Sequence, residues 1–187
     1  MLMHTMTASR YVTIADLLEP PVWPMGVSLR EDDVLVHGES LAQQARIATP
    51  AVRIGEAPPQ QAQITPPRQR FVSLIIARVL AVTALDGHRP ADVVIDADLS
   101  HCDVHFSDMR IVGRFATRST ARVRLHAPGG VSGPRARLPR DLAVGDILVI
   151  PCEGTVTPSD IRCRALALDP DQNDDAAPSC GRHIRGN

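Results

Sequence analysis

The sequence predicts a mostly β fold: a small barrel or sandwich, with an irregular, partly helical N-terminal segment before it and a disordered C-terminal tail after it. Three observations predict this. Phe71–Leu85 carries valine, isoleucine and leucine on both alternating faces, which suits a strand buried on both sides. Ala121–His126 alternates cleanly, with Ala121, Val123 and Leu125 on one side and Arg122, Arg124 and His126 on the other, so only one side faces a core. Glycine and proline recur between short apolar runs, marking frequent turns.

The elements follow in chain order. Thr13 to Asp16 has capping-box spacing, and Ile14, Leu17 and Leu18 give a short amphipathic turn of helix. Glu19–Pro24 stops it, because proline removes a donor and restricts the residue before it. Trp23 sits among these prolines and is expected to fold back over its own domain rather than dock on a partner. Val34–Val36 reads as a brief strand ended by Gly38, and Ser40–Ala48 as a helix capped by Ser40. Residues 49–69 contain five prolines and four glutamines and read as an extended linker that separates the N-terminal segment from the main domain.

Phe71–Leu85, the Asp86-Gly87 turn and Val93–Ile95 form the natural hairpin. Pro128–Arg137 holds three glycines and two prolines and reads as a loop. Leu142–Asp146 turns into a strand at Ile147–Ile150, and Ile161–Leu168 alternates again. The expected organisation is therefore a mixed segment at 1–48, a linker at 49–69, a β domain at 70–168 and an acidic tail at 169–187.

Three consecutive five-residue units, Ala97–His101, Cys102–Phe106 and Ser107–Ile111, each begin with a small residue, then aspartate, then an apolar residue. The pattern resembles the repeat of pentapeptide-repeat proteins. It covers 15 residues and fails from Val112, so an ordinary strand–turn–strand segment is expected in its place.

Charge is distributed unevenly. The formal net charge is −1, yet Arg110, Arg114, Arg118, Arg122, Arg124, Arg135, Arg137 and Arg140 fall in a window without one acidic residue. Arginine forks match phosphate and carboxylate oxygens bidentately, so this window is the candidate anion-binding site, with Arg122 and Arg124 on a strand face and Arg135, Arg137 and Arg140 in or beside a loop. The competing reading is a solvated face whose arginines pair with the chain's own acids. All 20 basic residues are arginine, as expected of a high-GC bacterial genome; Schiff-base lysine chemistry and a phosphate-loop lysine are thereby excluded. Five aromatic residues supply a stacking platform poorly.

Cys102 and His105, and Cys180 and His183, share one spacing, and together they make a zinc ligand set that is not favoured over a cofactor-free protein. A cysteine nucleophile beside His101 or His105, or a cation held by Asp96, Asp98, Asp103 and Asp108, is weaker still. No dinucleotide fingerprint, phosphate-loop motif, signal-peptide pattern or membrane-length apolar run is present, so a cytoplasmic location with reduced cysteines is expected. The functional expectation is a non-enzymatic binding or accessory protein whose arginine face engages nucleic acid or an acidic protein. The alternatives are an assembly protein that self-associates through β edges into a homo-oligomer and, last, a small metal- or cysteine-dependent enzyme.

Overall fold

The computed structural model of the chain describes residues 22–59, 70–83, 90–130 and 133–163. The expected Thr13 capping box, the Asp86-Gly87 turn, most of the Ile161–Leu168 alternation and the acidic tail fall outside them. Within them the chain is mostly β. Strands β1 (Val27–Leu29), β2 (Val34–Val36) and β3 (Glu39–Ser40) form a small antiparallel sheet and run directly into helix α1 (Leu41–Ile47). The remaining strands are β4 (Ala51–Glu56), β5 (Phe71–Val82), β6 (Ala91–Ile95), β7 (Asp103–Val104), β8 (Arg110–Val112), β9 (Thr120–His126), β10 (Arg135–Pro139) and β11 (Ile147–Glu153). They form one eight-stranded sheet in the order β10-β9-β6-β5-β11-β7, with β4 also on β5 and β8 also on β11. The sheet curls into a half-barrel.

β5 organises the molecule because both of its faces are apolar. Ile75, Ala77 and Val79 point into the half-barrel and meet Ile95, Val123, Leu125, Leu138, Leu148 and Ile150. Val72, Leu74 and Ile76 point the other way and meet Val34, Val36, Leu41 and Ala45, with Trp23 partly buried on the same cluster. A register shift between Val79 and Ala81 lies where β6 pairs with β5; such bulges bend a strand and sharpen its twist. Next to that bulge the Asp96 carboxylate, 6% exposed, accepts the Arg78 N–H at 2.7 Å. The Arg78 side chain reaches back to donate to the Ala45 carbonyl at 3.2 Å, supplying a partner near the C-terminal end of α1.

The helix start matches its sequence signal: the Ser40 hydroxyl accepts the Gln43 N–H at 3.0 Å. Asp33 reinforces it by accepting the Ala42 N–H at 3.1 Å and the Ser40 hydroxyl at 2.5 Å. Trp23 covers its own domain, as expected.

Three expectations need correction. The proposed linker contains β4, whose six residues pair in register with Phe71–Ile76. The N-terminal segment from residue 22 is consequently not set apart; it forms the cover for the outer face of β5. The proposed loop at Pro128–Arg137 ends early, because Arg135–Pro139 is a strand paired with β9. The three five-residue units form the expected strand–turn–strand, with β7 and β8 both antiparallel to β11 rather than stacked as a solenoid.

Candidate anion-binding face

The β9–β10 ribbon arises from two alternating segments. Val123 and Leu125 of β9 and Ala136 and Leu138 of β10 are buried in the half-barrel core, which turns Arg122, Arg124, Arg135 and Arg137 to the opposite face. The register places Arg124 opposite Arg135 and Arg122 opposite Arg137. Gly133 permits the close return of the chain, since a Cβ there would lie 1.5 Å from the Leu125 carbonyl oxygen.

The hydrogen-bond phase of the ribbon follows from its ends. Leu125 N–H donates to the Pro134 carbonyl at 3.0 Å, and Arg140 N–H donates to the Ser119 carbonyl at 2.8 Å. Counting inward from both, Ala136 with Val123 and Leu138 with Ala121 are the hydrogen-bonded pairs. The two arginine pairs are therefore non-hydrogen-bonded positions, where opposed side chains stand closest, at a Cα separation of about 4.5 Å. The same phase turns the backbone N–H and C=O groups of Arg135 and Arg137 outward, to the edge of the sheet away from β9.

These four arginines carry little compensation. Asp92, beside Arg124 on β6, comes within 3.9 Å of its Nε and within 4.0 Å of His126 Nε2. With side chains 42% and 45% exposed, the Arg124–Asp92 pair is a surface contact worth at most about 1 kcal/mol. Arg124 Nε and His126 Nδ1 are buried without a hydrogen-bond partner. Arg122, Arg135 and Arg137 have no acidic partner among the described residues.

The rest of the arginine window divides differently. Arg114 is an internal clamp: it donates to Asp146 at 2.7 and 2.6 Å, and to the Asp141 carboxylate and carbonyl, each at 2.8 Å. Hydrogen bonds to Asp146, then to Asp141, push the Arg114 pKa further up against the opposing effect of burial. Burial works to raise the Asp141 carboxyl, but hydrogen bonds from Arg114 and Thr117 outweigh it and hold the group below its usual range. Arg110 donates to the Arg30 carbonyl at 3.3 Å, against the N-terminal sheet. Arg140 donates to the Thr120 carbonyl at 3.4 Å, and exposed Arg118 precedes the Ser119 that closes the ribbon.

A groove of about 520 Å³ runs beside β10, lined by Phe106, Ser107, Arg122, Arg135, Ala136 and Arg137. A second cavity, about 420 Å³, lies at the other end of β9, between Leu125, His126, the glycine-bearing turn at 127–130 and Cys163. Among the described residues, no arginine lines it.

Among the described residues, no metal or cysteine centre is assembled. Cys102 packs on the half-barrel core, of which Cys152 is a buried member. Burial raises the Cys102 thiol and pushes Cys152 up to about 12, so both stay protonated near neutral pH, which is unsuited to a nucleophile. Cys180 and His183 lie outside the described residues, and among those described no three histidine, cysteine or acidic side chains converge on a metal-sized site. Asp96 serves the β5 bulge, Asp98 accepts the Ser100 N–H at 2.9 Å, Asp103 lies opposite Glu153, and Asp108 accepts the Ser107 hydroxyl. No helix among the described residues is long and apolar enough to cross a membrane. No family model matches the chain, and no curated protein matches it.

Proposed function

We propose that the protein is a non-enzymatic binding or accessory protein that engages an anionic partner through the β9–β10 face. The observation that carries this reading is the like-charge register, Arg124 beside Arg135 and Arg122 beside Arg137. Like charges directly opposed on a sheet are destabilising, and an anion that bridges them relieves the repulsion. Four guanidinium groups on a rigid ribbon also match oxygen anions with less ordering entropy than the same groups on a loop.

Self-association through β edges fits this edge less well. It is short and arginine-bearing, so pairing with the same edge of a second copy would set arginine against arginine, which discourages self-association. Retention on heparin is the direct test. Wild-type protein is expected to bind at roughly 50 mM salt and elute as salt rises, and Arg122→Gln with Arg124→Gln is expected to elute earlier while remaining folded. Absence of binding by the wild type at that salt overturns the reading.

A further inference from the structure

Both ends of the curled sheet meet at one groove. β10 is the terminal strand at one end and β7 at the other, and the turn just after β7 supplies Phe106 and Ser107 to the wall facing Arg122, Arg135, Ala136 and Arg137. The groove is thus the seam of an unclosed barrel. Among the described residues, no strand pairs with the outer edge of β10.

We propose that this seam accepts a strand: an extended segment of a partner protein in which acidic residues alternate with small apolar ones. The inference rests on the reading of β9–β10 as an anion-binding face and names the partner class. Three features of the seam select it. The outward N–H and C=O groups of Arg135 and Arg137 offer a β-ladder to an incoming backbone, the usual source of affinity when a strand is added to a sheet. The side chains of those same residues stand on the arginine face, so the residues paired with them meet Arg135 and Arg137 directly and Arg122 close by. Intervening residues of the added strand point the other way, toward Ala136 and Phe106, where an apolar side chain fits. The span is limited by Pro134 before the strand and Pro139 at its end, so the recognised motif is short. A nucleic acid would use the guanidinium groups but leave the edge amides and the apolar wall unused.

The test uses the full chain and labelled peptides read by fluorescence anisotropy at about 50 mM salt, where charge contacts are strongest. The probes are a capped peptide alternating glutamate with valine, a scrambled peptide of equal composition with its glutamates clustered, and a single-stranded oligonucleotide. Two further peptides carry N-methyl groups, one on the glutamate amides and one on the valine amides. The strand is taken to add antiparallel to β10; glutamates paired with Arg135 and Arg137 then direct their N–H groups at β10, whereas the valine N–H groups point away. The alternating peptide is expected to bind, and the scrambled and glutamate-methylated peptides to bind about tenfold or more weakly, with valine methylation tolerated. Arg135→Gln with Arg137→Gln should cost the alternating peptide about tenfold at an unchanged melting temperature.

Equal binding of the alternating, scrambled and methylated peptides, or tighter binding of the oligonucleotide, overturns the strand proposal and leaves the anion-binding reading standing. Binding to none of the anionic probes overturns both.

Discussion

Arg114 and the ribbon arginines come from the same acid-free stretch of sequence and end in opposite surroundings. Arg114 lies between Asp141 and Asp146, and all of its strong donors are engaged within the fold. Arg122, Arg135 and Arg137 face solvent beside other arginines. A local charge count treats the two groups alike, yet Arg114 holds the turn into β11 while Arg122, Arg135 and Arg137 meet no acid among the described residues. What separates them is where the fold brings acids: to Arg114 from positions 27 and 32 residues away, and to the ribbon, among the described residues, only as Asp92 at its inner edge.

The strongest way to break this comparison is to remove the clamp. Arg114→Gln leaves Asp146, with a side chain 10% exposed, without its charged partner, and should destabilise the protein by about 2 kcal/mol. Thermal melting should then fall by roughly 4–8 °C while heparin retention is unchanged. Unchanged melting with weakened retention would move Arg114 into the binding face and dissolve the distinction.

An acid titration sharpens the same point. The Asp141 carboxyl is held below its usual range in the folded state, so the unfolded chain binds a proton at higher pH than the folded one does. The clamp's contribution is present above about pH 4 and fades as pH falls through the folded-state pKa. Wild-type melting temperature should drop with acid below that point, and the Arg114→Gln variant should drop less over the same range. Parallel curves would place the acid sensitivity elsewhere.

A smaller effect of opposite sign is expected on the ribbon. Arg135→Glu turns the like-charge pair with Arg124 into an opposite-charge one, and should stabilise the protein by about 0.2–1 kcal/mol while weakening heparin retention. Destabilisation, seen as a lower denaturant midpoint, would show that Arg135 already has a favourable partner.

Much of the fold was legible because its signals are local. The alternation in Ala121–His126, the capped helix after Ser40 and the Gly145 turn into β11 all formed as their residues suggest; Gly145 has φ +92, a conformation that favours glycine. β4 was missed because Ala51–Glu56 sits among prolines and becomes a strand only through its pairing with β5. The strand's cover was hidden for a related reason: the two apolar faces of Phe71–Val82 imply two packing partners but do not name the N-terminal segment as one of them.

β10 hid inside glycine- and proline-rich sequence, although Arg135-Ala-Arg137-Leu138 does alternate, and that signal could have found it. Recognising it turns two presumed loop arginines into ordered members of the face. The arginine window itself was visible, but its division was not, because that depends on the β9–β10 register and on Asp141 and Asp146 at a distance.

The most direct measurement of the central claim is the salt dependence of oligonucleotide or heparin binding by three proteins: wild type, Arg114→Gln, and Arg122→Gln with Arg137→Gln. Each phosphate contact removed should reduce the slope of log K against log salt by about 0.7 for a single strand. The account predicts equal slopes for wild type and Arg114→Gln, and a slope about 1.4 shallower for the ribbon variant, with its melting temperature within a degree or two of wild type. Equal slopes for all three proteins, or a loss of slope in Arg114→Gln alone, would contradict it.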